Sequence, residues 1–286
     1  MMIPLIKRHI KLFLKDKASV FFSLLSVFII VGLYVLFLSE NIASSLPQFN
    51  NRAAFIFLWM FAGIVAVTTA TAPLGALGKF IEDEVSKKSD DLLITKISRR
   101  TLAYSYVYYS FIIGFIFTSF LYAGGFIYTW ITFDLILPLS ISLLGIIALS
   151  TLMHTLIFYL ITARLKTMSA FSGFSTLVGT LIGFLAGIYV PIGALPSYLQ
   201  KVIILFPTTQ VTVLLRTILM EDVLSPIQAL LPNEAYEGIV KTLGVQLAWN
   251  DQLLSSQFSW IYLLAFTLIL LIIVLMKNRR KNKALS

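Results

Sequence analysis

Apolar runs long enough to cross a lipid bilayer recur along the whole chain. The hydrocarbon core of a bilayer is about 30 Å thick, and a helix needs about 20 mostly apolar residues to cross it. Such runs occur at about 18–38, 53–75, 104–130, 136–163, 169–191 and 259–276. Only 12% of the residues are charged, which is about half the share found in soluble domains. The sequence therefore predicts one all-α polytopic membrane domain with six transmembrane helices over residues 1–286.

The lysines and arginines are sorted between the two sides of the membrane. Six crossings place both termini on one side, and that side receives all the basic residues except Arg52, Lys201, Arg216 and Lys241. Cytoplasmic loops carry an excess of lysine and arginine. We therefore expect both termini in the cytoplasm. In a membrane chain the location of the charges matters more than their sum, so the net charge of +9 gives no reason to expect a nucleic-acid partner.

Residues 1–17 have the pattern of an amphipathic helix, with basic residues mostly opposite an apolar face. The apolar face consists of Ile6, Ile10, Phe13 and Leu14. We expect an interfacial helix along the inner leaflet, and a tilted extension of the first span is the alternative. His9 falls on the polar side of this helix, where it needs no special role.

The segment 76–103, which contains "GKFIEDEVSKKSDDLLITKISRRTL", is the one substantial cytoplasmic loop. Its pattern predicts two short amphipathic helices, the first with a Glu84–Lys88 pair and the second capped by Ser89. Asp90 and Asp91 follow in the first turn of the second helix, where negative charge is favourable. The residues alone fit a docking surface for a partner and a solvated connector equally well.

No energy source is apparent within the chain. The phosphate-binding pattern G-x-x-x-x-G-K-[ST] is missing from the sequence, and the predicted spans carry no Asp, Glu, Lys or Arg away from their ends. His154 is the one ionisable candidate within them. The neighbouring Ser150, Thr151 and Thr155 favour a hydrogen-bonded packing histidine over a proton relay. A secondary transporter or channel that uses His154 remains an alternative, as does a membrane sensor or scaffold that transports nothing.

An enzyme is not expected. The chain has two histidines and no cysteine, and its predicted spans hold no acidic pair for acid–base chemistry. We therefore expect no catalytic residue, no metal site and no cofactor-binding residue in this chain.

Two features surround the end of the fifth predicted span. Gly179, Gly183 and Gly187 recur every fourth residue, which predicts a smooth strip for close helix packing. The apolar stretch that follows is broken by prolines, including Pro196 and Pro207. Residues 193–258 should all lie outside, and the first of them fit a re-entrant helical hairpin. A pair of helices lying flat on the membrane is the alternative.

Two stretches resemble the ABC type-2 exporter permeases. "FLAGIYVPIGALPSYLQKVIILFPTTQVTVLLR" is similar to the fifth-span and re-entrant region of that family, and "EDEVSKKSDDLLITKISRRTL" is similar to its loop between spans two and three. The six spans and the amphipathic N-terminal helix agree. The resemblance implies one transmembrane subunit of a bacterial plasma-membrane exporter that moves an amphipathic or hydrophobic compound, such as a drug, lipid or toxin.

The resemblance also implies partners and site residues. ATP and magnesium would be bound by a separate ATP-binding cassette subunit, and a second permease subunit, identical or paralogous, would complete the path. The N-terminal helix and the loop would dock the ATP-binding subunit. The implied docking residues are Glu82, Glu84, Asp90, Asp91, Leu92, Leu93 and Arg99. The implied gate of the path is Ile188 and Tyr189, with Phe184, Phe57 and Phe61 as weaker candidates for its lining.

Overall fold

The computed structural model describes residues 2–45, 49, 51–95, 97–249 and 252–283. This part of the chain is almost entirely helical, apart from connecting segments and a short antiparallel hairpin of β1 (Ala248–Trp249) and β2 (Gln252–Leu253). The helices are α1 (Met2–Lys15), α2 (Lys17–Ser23), α3 (Leu25–Leu33), α4 (Ser39–Ser45), α5 (Arg52–Val85), α6 (Lys88–Ile94), α7 (Arg99–Phe133), α8 (Ile141–Thr162), α9 (Met168–Leu185), α10 (Ser197–Ile204), α11 (Pro207–Leu219), α12 (Glu221–Leu230), α13 (Asn233–Thr242) and α14 (Ser256–Lys283).

Five of the described helices, α5, α7, α8, α9 and α14, are long and apolar enough to cross a membrane. Two bent helix pairs, α2 with α3 and α10 with α11, raise the number to seven if each pair is one crossing. The prediction of a helical, multi-pass membrane protein is confirmed. The predicted segments 1–17 and 193–258 each include residues outside the described part of the chain, namely Met1 and residues 250–251.

The first predicted span is a bent pair of helices. Helix α1 ends at Lys15, and Asp16 then caps α2 because its carboxylate accepts hydrogen bonds from the backbone N–H and the hydroxyl of Ser19. Helices α2 and α3 differ in direction by 44°. The chain continues through a π-helical turn, Tyr34–Leu38, into α4.

Helix α5 is the centre of the bundle, and 89% of the residues in its most apolar 18-residue stretch are buried. It has 34 residues, so it is about 50 Å long and exceeds the hydrocarbon thickness of a bilayer. The first short helix that we predicted in segment 76–103 is therefore the last part of α5. Pro73 lies inside α5 against Gly114 of α7, where an added Cβ would lie 2.8 Å from the proline ring.

Helices α10 and α11 form a corner of 88°. Pro196 precedes α10, and Pro207 is the first residue of α11, where a missing N–H costs nothing. Residues Thr208 to Arg216 are all buried, with α11 packed among α5, α8 and α14. This enclosure favours the re-entrant hairpin over a flat helix pair, and both stay predictions.

Buried polar side chains satisfy the backbone of this corner. The hydroxyl of Thr209 lies 2.6 and 2.8 Å from the carbonyl oxygens of Leu185 and Ile203, and its one proton is shared between them. Gln210 donates to the carbonyl of Ile204 at 2.6 Å and accepts a hydrogen bond from Ser259 at 2.7 Å. Irregular backbone is tolerated in an apolar setting only when its polar groups are paired in this way.

Candidate functional site

The turn between α5 and α6 brings several charged residues together at what we call the α6 end of the molecule. Lys87 has a φ of 58°, which reverses the chain, and Lys87 rather than Ser89 is the residue that precedes α6. The expected cap by Ser89 is wrong because Ser89 lies inside the helix and is buried.

The ion pairs at this turn differ from the predicted Glu84–Lys88 pair. Glu82 accepts from Lys79 at 2.7 Å and from Lys88 at 3.4 Å. Because the helix ends at Val85, Lys88 folds back toward Glu82, and Glu84 is left exposed.

The exposed residues of this turn include both charged and apolar side chains, and we call the surface that they form the α6 surface. Leu92 and Leu93 are half-buried against the cluster that α1 and α7 form, so they do not supply its exposed apolar part. Ile94 is 86% exposed and Val85 is 50% exposed. The α6 surface therefore contains Glu84, Val85, Asp90, Asp91, Ile94 and Arg99, together with the exposed Ser86, Lys87 and Lys88.

Ile94 was missed by the sequence reasoning, although a signal was present. Residues two apart on a helix point about 200° away from each other. Once Leu92 faces the protein, Ile94 must face outward.

Asp83 is the buried centre of the α6 end. Its carboxylate accepts from Arg8 of α1 at 3.0 Å and from the hydroxyl of Tyr106 of α7 at 2.8 Å, and Lys79 lies 3.6 Å away. Asp83 has no exposed surface. The sequence reasoning chose Glu82 and Glu84 and passed over the residue between them, although Asp83 continues the helical face of Ala76 and Phe80.

His9 is also buried at this end, so its expected place on a solvated polar face is wrong. Its ring stacks on Tyr106 with centroids 4.2 Å apart, and its Nε2 donates to the hydroxyl of Ser105 at 3.1 Å. Burial, together with the neighbouring Arg8, lowers the pKa of His9 to about 4. Helix α1 buries Leu5, His9 and Phe13 against α7, so the buried face is rotated from the predicted one. Of the predicted face, Phe13 is buried, Ile6 and Ile10 are half-buried, and Leu14 is exposed.

The end of the molecule opposite α6 contains α13, and we call it the α13 end. Here α9 ends six residues before the predicted end of the fifth span. Gly187 has a φ of 60° just beyond the helix. Its N–H donates to the carbonyl of Phe184, and the N–H of Ile188 donates to the carbonyl of Gly183, each at 3.0 Å. This is a Schellman turn, which ends a helix and usually needs glycine at the left-handed position.

The turn places Ile188 and Tyr189 on two glycines. Ile188 is wholly buried and lies against Gly63 of α5, where an added Cβ would collide with it. Tyr189 covers Gly183 of α9 in the same way. The ring of Phe184 packs edge-on against Tyr189 with centroids 4.9 Å apart, and Phe184 is 45% exposed.

Phe57 and Phe61 do not join this group. Phe61 is buried against Gly125 and Tyr122 of α7, and Phe57 packs on Tyr128 with ring centroids 4.7 Å apart. Phe61 and Gly63 point about 200° apart on α5. The structure thus separates the five predicted path residues into two sites on opposite sides of one helix.

Gly179, Gly183 and Gly187 do not share one packing strip. Gly179 lies next to Ser26 of α3, where an added Cβ would be 3.1 Å from the hydroxyl oxygen. Gly183 receives the ring of Tyr189, and Gly187 lies beyond the helix end. The spacing of four residues therefore reflects three different contacts.

His154 is enclosed by α5, α8 and α11. Its Nδ1 donates to the carbonyl of Ser150 at 2.9 Å and lies 3.3 Å from the hydroxyl of Thr69, while its Nε2 accepts from Thr208 at 2.9 Å. The tautomer follows from the carbonyl, which can only accept. Both ring nitrogens have partners, as expected for a packing histidine, although Thr208 and Thr69 rather than Thr151 and Thr155 provide the hydroxyls.

Arg216 is the third residue that the sequence reasoning missed, because it was counted among the outer charges. It is completely buried, and its guanidinium lies over the ring of Trp59 at 4.3 Å. It donates to backbone carbonyls in α5, at the end of α9 and at the end of α13. Its hydrogen bonds therefore join these three segments.

These features define a multi-pass helical membrane protein with one mixed surface at its α6 end and a closed, glycine-seated turn at its α13 end. A family model described as "ABC-2 family transporter protein" matches residues 43–276. The chain therefore belongs to the ABC-2 transporter family, and the resemblance to ABC type-2 permeases is confirmed. Membership of this family implies association with a membrane and with an ATP-binding subunit. No curated protein and no solved structure matches the chain.

Proposed function

We propose that the chain is the permease subunit of an ATP-driven exporter in a bacterial plasma membrane. It moves an amphipathic or hydrophobic compound, such as a drug, lipid or toxin, from the cytoplasm outward. Helices α2 and α3 form one crossing and α10 and α11 a re-entrant corner, so the chain has six crossings and both termini are cytoplasmic. ATP and magnesium are bound by a separate ATP-binding cassette subunit, and a second permease, identical or paralogous, completes the path.

The observation that carries this proposal is the continuity of α5. At one end this helix forms the seat of Ile188 at Gly63, and at the other it forms the base of the α6 surface. The two places are 20 residues apart between Gly63 and Asp83, or about 30 Å along the helix. A movement applied at the α6 surface can therefore reach the seat of Ile188 through one element.

The α6 surface supports a partner at the cytoplasmic face. Large apolar side chains such as Ile94 and Val85 are costly in water, and beside charged residues they mark an interaction site. Glu84, Asp90 and Asp91 supply negative charge, and Arg99, with Lys87 and Lys88, supplies positive charge. We assign the docking of the ATP-binding subunit to these residues, with Glu82 at the edge and with Leu92 and Leu93 supporting α6 from below.

The closed turn at the α13 end supports an outer gate. Ile188 and Tyr189 form the gate, with Phe184 beside them on the exposed face of α9. We assign Phe57 and Phe61 to the packing of α5 on α7. An apolar gate excludes water and ions but yields to an apolar cargo, which agrees with the proposed class of compound.

The test uses the chain together with the ATP-binding subunit recovered with it from native membranes. Ile94→Asp places a charge on the α6 surface, and we expect it to abolish co-purification of the ATP-binding subunit and cargo-stimulated ATP hydrolysis. The matched control is Leu230→Asp at the α13 end, where Leu230 is 75% exposed. That variant should still co-purify with the ATP-binding subunit and should keep cargo-stimulated ATP hydrolysis.

Two results would replace the proposal by another function. Transport by the chain alone, driven by a proton gradient and lost in His154→Gln, would establish a secondary transporter or channel. Normal binding of the ATP-binding subunit without movement of any compound in proteoliposomes would establish a sensor or scaffold.

A further inference from the structure

Arg216 carries a buried positive charge that no ion pair balances among the described residues. Its Nη1 donates to the carbonyls of Leu243 and Gly244, at 2.8 and 3.1 Å. Its Nη2 donates to the carbonyl of Gly187 at 2.9 Å, and its Nε lies 3.4 Å from the carbonyl of Trp59. Burying an unbalanced charge is costly. The question is therefore how these carbonyls offset the charge of the guanidinium.

Three of these four carbonyls belong to the ends of two helices, and that of Trp59 lies within α5. Helix α9 ends in the turn at Gly187, and α13 ends in the turn at Leu243 and Gly244. The C-terminus of a helix carries about half a negative charge, so two of them supply about the one unit that the guanidinium requires. The charge of Arg216 is therefore balanced by helix ends and not by a carboxylate.

The two helix ends have the same construction. Gly187 and Gly244 have φ values of 60° and 62°. In the second turn the N–H of Val245 donates to the carbonyl of Val240 at 2.9 Å, which repeats the Schellman bond at Gly183. Ile192 lies between them, because an added Cβ at Gly187 or Gly244 would approach its side chain to 2.6 or 2.8 Å.

A guanidinium suits this place better than an ammonium. Arginine presents a rigid, planar set of five donors, whereas the three donors of lysine arise from one nitrogen atom. Two different nitrogens of Arg216 reach the ends of α13 and α9, while the plane of the group rests on Trp59. Trp59 itself donates to the carbonyl of Leu243 at 2.7 Å and so ties the end of α13 to α5.

We propose that Arg216 is a positioning residue that holds the outer gate shut by binding the ends of α9 and α13 together against α5. The carbonyl of Gly187 and the backbone nitrogen of Ile188 share one planar peptide unit. The bond from Arg216 to this carbonyl therefore fixes the direction in which Ile188 enters its seat on Gly63. This role rests on the proposed function, since it assumes that Ile188 is the gate.

The gate can be tested by cysteine labelling because the chain contains no cysteine. Ile188→Cys serves as the reporter in the full chain in lipid vesicles, and the rate of its reaction with a membrane-impermeant maleimide is measured. In the native background Ile188 is wholly buried, so the reaction is slow. In the Arg216→Lys and Arg216→Gln backgrounds we expect a rate about tenfold higher or more, because bonds to a charged donor are lost.

Two further reporters separate gate opening from general unfolding. Tyr198→Cys, at a position that is 67% exposed, should react equally in every background. Ile204→Cys lies buried on α10 in the cluster that also contains Ile192, and it should stay protected. Labelling of Ile204→Cys together with Ile188→Cys would mean that the whole segment has loosened, which would overturn the positioning role.

Thr217→Val is the matched control for Arg216. Thr217 donates to the carbonyl of Val213 at 2.9 Å on the same helix, and it lies 3.5 Å from the carbonyl of Val245 but does not contact Gly187. Its removal should leave the labelling of Ile188→Cys unchanged. If neither arginine variant accumulates in membranes, Trp59→Phe keeps a ring beneath the guanidinium and removes only the bond to Leu243, and it should raise the rate by a smaller factor.

Continued protection of Ile188→Cys in the arginine variants, or in Trp59→Phe where only that variant accumulates, would overturn the inference. The labelling assay needs neither the ATP-binding subunit nor a cargo. A failure here leaves the proposed export function standing, and a failure of the export experiment leaves the labelling result readable.

Discussion

Asp83 and Arg216 are both wholly buried and lie near opposite ends of the same bundle, but their charges are balanced in different ways. Asp83 is surrounded by the cationic side chains of Arg8 and Lys79 and by the hydroxyl of Tyr106. The partners of Arg216 are backbone carbonyls and the face of one aromatic ring.

The two sets of contacts differ in how strongly the surrounding solution can weaken them. The Asp83 contacts join α1 to α5 and α7, and the side chain of Arg8 is 30% exposed, so salt and water can weaken them. The Arg216 contacts are enclosed and include no titrating acid. Only a movement of the helix ends themselves changes them.

The largest expected effect tests the enclosed end. Arg216→Met keeps much of the side-chain length but leaves the carbonyls of Gly187 and Gly244 without their side-chain donor, and the carbonyl of Leu243 with Trp59 alone. Several bonds to a charged group are lost at once, so we expect the free energy of unfolding to fall by about 3 kcal/mol or more. Thermal unfolding of the purified chain in detergent measures this, and a change below that of Asp83→Asn would reverse the comparison.

The next effect tests the ionic end. Asp83→Asn preserves the shape of the side chain but removes the charge that faces Arg8 and Lys79. Because Arg8 is partly exposed, we expect a loss of about 2 kcal/mol. We also expect faster tryptic cleavage within α1, which mass spectrometry can follow. Glu84→Gln, on the exposed residue next to Asp83, is the control and should change neither quantity.

A smaller effect should depend on pH. The pKa of His9 is about 4 in the folded protein, below its ordinary value of 6.5. The unfolded chain therefore binds more protons as the pH falls, and the stability that neutral His9 contributes above pH 6.5 is lost on the way to pH 4. The loss should reach about 1 kcal/mol at pH 5.5.

The measurement for His9 is the difference in pH dependence between the native chain and His9→Gln, so that other titrating groups cancel. Arg8, Lys79 and Asp83 face the same ring region and are unchanged in both proteins. Parallel stability curves between pH 8 and pH 5.5 would show that His9 is not held neutral. Arg216 variants should keep the native pH dependence.

The smallest effect is expected for Thr217→Val, next to Arg216 on α11. Its hydroxyl bonds to a carbonyl of its own helix, which keeps its helical partner when the hydroxyl is removed. The free energy of unfolding should change by less than about 0.5 kcal/mol. A loss as large as that of Asp83→Asn would mean that the packing of α11 as a whole, rather than the guanidinium of Arg216, carries the stability.

The sequence was sufficient for the membrane class and the helical fold, because long apolar runs have few other solutions in lipid. The family came from the resemblance of two stretches, which the family match confirms. It was less informative about faces. Asp83 and Ile94 were missed because a helix must be known to be buried on one side before a residue can be assigned to that side. The same reason explains His9, since the true buried face of α1 is Leu5, His9 and Phe13.

Arg216 left no readable pattern at all. Its partners are backbone carbonyls up to 157 positions away, and any residue type can supply a carbonyl. Gly187 did carry a signal, because glycine just beyond a helix followed by Pro191 is typical of a helix end. The repeat every four residues concealed that signal.

The position of Pro73 has a mechanical consequence for α5. Pro73 is ten residues from Gly63 and ten residues from Asp83, and it fits against Gly114 where a side chain would leave too little room. Proline leaves the carbonyl four residues earlier without its helical donor, so this is the most easily bent point of the helix. A tilt about this contact has arms of about 15 Å on each side. A displacement of the helix at Asp83 would then appear at Gly63 with similar size and opposite direction.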